Sequence, residues 1–205
     1  MKATPYIFLA FFLGLFVAGT YLRVEKARQS PLDEYRAILE DYVQERENAV
    51  QKILDPPSFS LLSFDSKDTL SKPWLRQRQA QLEKLKEEDF TLLLYRQDSL
   101  VFWSNTRLLP PQEIQASSDE APLRWIANGF YYCYRPALPP AADEKALALI
   151  PLKYEYRLRS DYLEDHFPAS QQLPAHLAIS DQSSDYPIKS VEGQVVAYLQ
   201  EGNYP

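Results

Sequence analysis

A group of basic and phenolic residues follows directly after the apolar run Ala146–Leu152, where a predicted strand ends. Ammonium and guanidinium groups donate charge-assisted hydrogen bonds, and aromatic rings stack on planar or cationic groups. The pattern therefore indicates a candidate site for an anionic or carbonyl-bearing ligand. In the alternative, the tyrosines are core or interface residues and the cations are solvated or paired with Glu155. The candidate set includes two tyrosines of an earlier predicted strand: Lys153, Tyr154, Tyr156, Arg157, Tyr132 and Tyr134.

Catalytic and metal-binding patterns are not found in the sequence. His166 and His176 are ten residues apart and belong to no H-E-x-x-H spacing. No serine lies in a G-x-S-x-G motif, and Cys133 lies within a predicted strand, where burial would leave its thiol inert. The five glycines form neither G-x-G-x-x-G nor a P-loop, so no cofactor is predicted. Three acidic residues are predicted to be the solvated face of a short helical turn: Asp161, Glu164 and Asp165.

Composition and charge describe a globular chain of 205 residues, long enough for one sizeable domain and an appendage. The chain is 45% hydrophobic and 24% charged, as folded domains are. A net charge of −6 argues against nucleic acid as a partner, because phosphate attraction needs a basic surface. A single cysteine excludes an internal disulfide framework.

Residues 1–23 contain an uncharged stretch between Lys2 and Arg23. About 20 apolar residues are enough for a helix to cross a bilayer, so a transmembrane anchor is predicted. The alternative is a cleaved signal peptide with Lys2 as its basic end and Ala18 and Gly19 near the cut. Either reading favours export of the remaining chain, although the charges flanking the stretch do not fix its orientation.

Apolar residues recur every three to four positions from Pro31 to Leu54, which predicts a long amphipathic helix. Ser30 is the predicted N-cap, and Asp55 with the two prolines that follow ends the helix. At 1.5 Å per residue the helix would span about 36 Å. Its apolar stripe is expected to cover a sheet, and pairing with a second copy near the membrane is expected in addition. The polar residues are predicted on the other faces: Asp33, Glu40, Glu47 and Gln51.

The rest of the chain predicts an α+β fold with an antiparallel sheet of about five to seven strands flanked by helices. A second helix runs from Lys72 to about Glu88, with Trp74, Leu75, Leu82 and Leu85 directed inward. Pro151 is expected to end its strand or to lie at an edge or a bulge. Asn128-Gly129 is the predicted turn of one hairpin. The strands are predicted at 90–95, 100–104, 123–127, 130–135, 146–152, 177–180, 186–191 and 194–199, and the strand at 130–135 is expected to be central.

Three passages together resemble the N-terminal sensing region of bacterial membrane-bound sensor histidine kinases: DFTLLLYRQDSLVFWSN at 89–105, NGFYYCYR at 128–135 and ALIPLKYEYRLRSDYLEDHF at 148–167. The resemblance implies an anchor at 1–23, a long juxtamembrane helix at 24–55 and a PAS-like or Cache-like extracytoplasmic domain at 56–205. It also implies that a second membrane span and a kinase follow in the parent protein. The sequence departs from that pattern by ending before any second span, phosphoacceptor histidine or ATP-binding motif.

Two functions from different classes are therefore expected. In the first, the chain is the input region of a two-component sensor in the inner membrane, with its bulk in the periplasm and a small-molecule or envelope ligand. Such a sensor is expected to be a homodimer through the membrane-proximal helix. In the second, it is an anchored or secreted envelope protein that binds a partner without signalling. A secreted enzyme is a weaker third reading, because no catalytic constellation is present.

Overall fold

The structure, a computed structural model, describes residues 30–62, 72–97, 99–108, 121–138, 144–156 and 164–202. The predicted membrane anchor at 1–23 lies outside these ranges. Among the helices within them, none combines the length and apolar character that crossing a bilayer requires.

The first helix, α1, spans Pro31–Leu54, as the sequence predicts. Its start is fixed by a capping box. Ser30 Oγ accepts the backbone N–H of Leu32 at 3.2 Å, and the Asp33 carboxylate accepts the N–H of Ser30 at 3.2 Å. The helix ends at Asp55, where the single-turn helix α2 begins at Pro56–Phe59.

The third helix, α3, spans Lys72–Glu87 and contacts the core mainly through its last turns. Leu85 is buried, and Leu82 and Trp74 are half-buried. The prediction that Leu75 points inward is wrong, because its side chain is 47% exposed. The first turns of α3 therefore have little contact with the described core.

Eight strands in two antiparallel sheets make up the described β structure. The larger sheet has the order β2-β1-β5-β4-β3 and the smaller one the order β6-β8-β7. The α+β class and an antiparallel sheet of five strands are confirmed, whereas the separate three-stranded sheet was not predicted. The bounds are β1 Thr91–Arg96, β2 Ser99–Trp103, β3 Leu123–Ile126, β4 Gly129–Tyr134, β5 Lys145–Tyr154, β6 Leu177–Ser180, β7 Pro187–Lys189 and β8 Val195–Glu201.

The centre of the larger sheet is β5, because the apolar run predicted as a buried strand pairs with β1 on one side and β4 on the other. The strand predicted to be central, β4, is interior but lies one position from the edge. Its two faces are both covered, as expected: Tyr132 lies in the core beneath α1, and Tyr131 and Cys133 lie in a second cluster on the opposite face.

The hairpin between β3 and β4 turns one residue earlier than predicted. Ile126 pairs with Gly129, so Ala127 and Asn128 form the turn, and Ala127 has a positive φ of 49°. Gly129 is needed for a different reason, since a Cβ there would overlap the backbone carbonyl oxygen of Lys153. This glycine therefore permits the close approach of β5 to β4.

A β-bulge interrupts the pairing of β4 with β5. Phe130 pairs with Lys153 and Tyr131 with Pro151, so Leu152 is the extra residue. The strand continues to Tyr154. The prediction that it leaves the sheet at Pro151 is wrong, and the alternative of a bulge is confirmed. Because the extra residue reverses the alternation of side chains, Lys153 lies on the same face as Phe130.

The main core lies between α1 and the two sheets. Leu39, Val43 and Val50 of α1 are fully buried in one cluster with residues of both sheets. Its apolar stripe therefore covers β structure, as predicted. A smaller cluster on the opposite face of the larger sheet includes Leu147 and Leu149 of β5.

Candidate functional site

The structure divides the predicted basic and phenolic set between the two faces of the larger sheet. Lys153 faces the main core with 2% of its side chain exposed. Its Nζ lies 3.4 Å from Glu155 Oε2 and 5.6 Å from the ring centroid of Phe167. The bulge places it there, and the cation is paired with Glu155 as the alternative interpretation expected.

Tyr154 lies on the opposite face. Its ring packs edge-on against Tyr131, with centroids 6.3 Å apart, and tilted against the His166 imidazole, with centroids 5.0 Å apart. The backbones of Tyr154 and His166 exchange two hydrogen bonds of 2.8 and 3.1 Å. Burial raises the pKa of the Tyr154 phenol above its ordinary value. Tyr154 is therefore a packing residue of this face.

Tyr156 follows the sheet and donates its backbone N–H to Asp165 Oδ1 at 2.9 Å. Residues 164–166 are not helical, so the prediction of a helical turn is wrong for the part of it that the structure describes. Asp165 is half-buried and accepts this hydrogen bond. A wide cavity of about 800 Å³ lies between Tyr156 and residues 164–175. Arg157 and Asp161 lie outside the described residues.

Tyr132 and Tyr134 face α1, with ring centroids 5.8 Å apart. The Tyr132 hydroxyl donates to Glu47 Oε1 at 2.7 Å, and the Tyr134 hydroxyl accepts from Gln51 Nε2 at 2.6 Å. Burial raises the pKa of both phenols, and for Tyr132 the hydrogen bond to Glu47 and the charge of that carboxylate raise it further. Both phenols are therefore protonated at neutral pH.

Glu47 is the residue that the sequence interpretation placed wrongly. It was expected on a polar face, but it is 2% exposed. Its second oxygen, Oε2, accepts the backbone N–H of Val191 at 2.6 Å. One buried carboxylate therefore joins α1, β4 of the larger sheet and the β7–β8 turn of the smaller sheet.

Glu47 belongs to a row of four polar side chains along α1, which we call the polar stripe: Glu40, Gln44, Glu47 and Gln51. Glu40 Oε2 accepts the backbone N–H of Lys189 at 3.0 Å. Since β7 is an edge strand, the N–H group of Lys189 is satisfied by a helix carboxylate in place of a neighbouring strand, and the N–H group of Val191 in the β7–β8 turn is satisfied by another. The spacing of four, three and four residues places the row on one helix face. This spacing was the signal in the sequence that the four side chains act together.

Two residues of the polar stripe, Glu47 and Gln51, also line a groove of about 450 Å³, which we call the helix groove. The groove lies between α1, the end of β4 and the β7–β8 hairpin. The exposed side chains of Val191 and Val195 contribute apolar surface to it. Its polar lining comes from the helix and from both sheets and includes Glu47, Gln51, Tyr132, Tyr134, Arg135 and Glu192. It thus brings together two of the six predicted site residues with helix residues that the prediction missed.

Metal chemistry has no support in the described part of the chain, where no three His, Cys, Asp or Glu side chains converge in a way that could hold an ion. Its one cysteine, Cys133, is buried. The arrangement of the helix groove is suited to binding through hydrogen bonds and apolar contact.

Fold and groove together define an α+β domain in which a long helix is docked on two antiparallel sheets and lines a groove between them. No protein-family model, no curated protein and no solved structure matches the chain.

Proposed function

We propose that the chain is the extracytoplasmic input region of a membrane-bound two-component sensor histidine kinase, which passes a ligand or envelope signal across the membrane. One observation carries this proposal. The helix that follows the apolar segment in the sequence, α1, is hydrogen-bonded through Glu47 to β4 of the larger sheet and to the β7–β8 turn of the smaller one. A change in the relative position of the sheets therefore acts on the element nearest the membrane.

The packing explains how such a change would travel. The interior of a protein is close-packed, so α1 cannot remain in place when the sheets that contact its buried face move. The polar stripe adds directional contacts to the β7–β8 hairpin, through the N–H groups of Lys189 and Val191. A helix about 36 Å long then carries the displacement toward its N-terminal end.

The architecture supports the proposed membership of the PAS-like or Cache-like group. The larger sheet, with the order β2-β1-β5-β4-β3, is antiparallel, as the resemblance implies. The long helix before the sheet is the second feature that the resemblance implies.

The proposed sensor is a homodimer that pairs near the N-terminal end of α1. Further along the helix the outward face carries the exposed residues Asp41 and Glu45. Acidic side chains that face their own copies across a two-fold axis repel each other. The first turn of α1 is acidic as well, through Asp33 and Glu34, so pairing is expected in the segment that precedes it.

A chimera tests the proposal. The chain is fused through a membrane span to the cytoplasmic transmitter of a histidine kinase that lacks its own input region, and transmitter autophosphorylation is measured. Glu47→Gln is expected to change it by about fivefold or more, since coupling between sites commonly has this size. Glu45→Gln, at an exposed position on the same helix, is the matched control. Equal autophosphorylation of the parent, Glu47→Gln and Glu45→Gln chimeras would favour an envelope protein without signalling output.

The compartment is tested separately with alkaline phosphatase, which is active only outside the cytoplasm, fused after Pro205. High phosphatase activity is expected. An inactive fusion that is stably expressed would place the domain in the cytoplasm and end the extracytoplasmic proposal.

A further inference from the structure

We propose that the helix groove binds a small, uncharged polyhydroxy compound of the sugar type. This inference rests on the proposed function, because it names the ligand class of the sensor. Its volume of about 450 Å³ lies within the range of roughly 300–1,000 Å³ that is usual for small-molecule sites. Because α1 and both sheets line it, a molecule bound there contacts all three.

The charges that line the groove disfavour an anion. Among the described residues that line it, two are carboxylates, Glu47 and Glu192, and one is a cation, Arg135. The Arg135 guanidinium donates through Nη1 to the carbonyl oxygen of Cys133 at 3.2 Å. An anion would therefore share one guanidinium that already has a partner, beside two carboxylates, and would gain little there.

A cation gains little in the same place. Both oxygens of Glu47 already accept short hydrogen bonds, from Tyr132 and from Val191. Glu192 is exposed, so solvent and salt screen its charge. The lining therefore favours a neutral ligand.

Hydroxyl groups match the polar surface that Tyr134 and Gln51 provide. The Tyr134 hydroxyl accepts from Gln51 Nε2 and retains a proton that it can donate, and the carbonyl oxygen of Gln51 is an acceptor. A sugar hydroxyl both donates and accepts, so it can bind either group. The side chains of Val191 and Val195, which are 54% and 38% exposed, provide apolar surface for the C–H face of a sugar ring.

The groove also explains how binding would reach α1. The bond between Gln51 and Tyr134 is exposed to solvent, whereas the bond between Glu47 and Tyr132 is buried. A hydroxyl ligand competes for the exposed bond without breaking the buried one. Binding is therefore expected to reposition the C-terminal end of α1 while the buried contact holds.

The test uses the full 205-residue chain in lipid nanodiscs and isothermal titration calorimetry with maltose, sucrose and galactose. Citrate and spermidine are the charged comparison compounds. At least one sugar is expected to saturate with a Kd of about 1 mM or tighter. Tyr134→Phe and Gln51→Leu are each expected to weaken that binding by about fivefold or more, because each removes a hydrogen-bonding group. Tyr198→Phe, on the smaller sheet and outside the groove, should leave it unchanged.

The inference is overturned if none of the three sugars shows saturable binding. It is also overturned if citrate or spermidine binds and Tyr134→Phe and Gln51→Leu weaken that binding. Circular dichroism of each variant separates lost binding from lost folding, and Gln51 is exposed, so its replacement should not unfold the domain. A negative sugar titration would not alter the expected response of the transmitter chimera to Glu47→Gln, so the two proposals can fail independently.

Discussion

The Tyr132 hydroxyl donates a 2.7 Å hydrogen bond to Oε1 of Glu47, a carboxylate that is itself buried beneath the helix that carries it. The other oxygen of Glu47 accepts the N–H of Val191. Removing one partner of a buried charged group is costly, because the remaining partner loses its hydrogen bond without regaining water. This three-way contact leads to the first prediction.

Tyr132→Phe should lower the free energy of unfolding by about 2 kcal/mol, because it leaves Glu47 Oε1 without its donor. Urea unfolding followed by circular dichroism measures the change. Tyr198→Phe removes a hydroxyl from the smaller sheet and should alter stability by less than about 0.5 kcal/mol. A Tyr132→Phe variant as stable as this control would mean that the hydrogen bond contributes nothing to the fold.

Gly129→Ala should destabilise the domain by about 3 kcal/mol, because the new Cβ meets the Lys153 carbonyl and separates β4 from β5. Gly193→Ala is the control. Gly193 has a φ of +79° with open space around its Cβ position, so its replacement costs only about 1 kcal/mol of backbone strain. Thermal unfolding compares the two, and the opposite ranking would contradict the close approach of β5 at Gly129.

Lys153→Met should leave stability unchanged or raise it by about 1 kcal/mol. The partner, Glu155, is 39% exposed and regains water when the ammonium is removed, and methionine can occupy the space beside Phe167. Denaturant unfolding measures this, with Lys145→Met at the exposed start of β5 as control. A large loss of stability would show that the ammonium has a structural role that its contacts with Glu155 and Phe167 do not explain.

Alkaline pH should unfold the domain cooperatively. Unfolded tyrosines ionise near pH 10, whereas the buried ones retain their protons to higher pH. The folded state thus binds more protons above about pH 10, so this contribution to stability is complete below that pH and is lost as the pH rises through the raised pKa values. Burial is the largest cause of the raised pKa of five phenols: Tyr42, Tyr131, Tyr132, Tyr134 and Tyr154.

Tyrosinate absorbance and near-ultraviolet circular dichroism, recorded on one pH series, check this prediction. Part of the absorbance should rise only together with the loss of the dichroism signal. If all of the absorbance rises near pH 10 while the dichroism stays native, the five phenols are not protected by folding.

Local signals in the sequence were enough to predict much of the fold. The start and end of α1 follow from Ser30 and Asp55, whose neighbouring prolines fix the chain direction at each end. The central strand β5 follows from its apolar run, and the β3–β4 hairpin follows from its turn residues to within one position. Each of these features depends on residues close together in the chain.

The candidate site depends on contacts that no local pattern encodes. In the sequence, Glu47 resembles a solvated helix residue. The hydrogen-bond donors to its buried carboxylate are Tyr132 and Val191, which lie 85 and 144 positions away. Lys153 was predicted to follow a strand, but it lies within β5, and a one-residue bulge decides which face it occupies. Sheet register is therefore the information that the sequence interpretation lacked.

The central claim is that the polar stripe sets the position of α1 against the smaller sheet. Spin labels at Asp41→Cys and Asp181→Cys, both exposed, report that distance by double electron–electron resonance in the full chain. The buried native Cys133 should remain unlabelled. Glu47→Gln should shift or broaden the distance distribution, and Glu45→Gln should reproduce that of the parent chain. A folded Glu47→Gln variant with an unchanged distribution would contradict the claim.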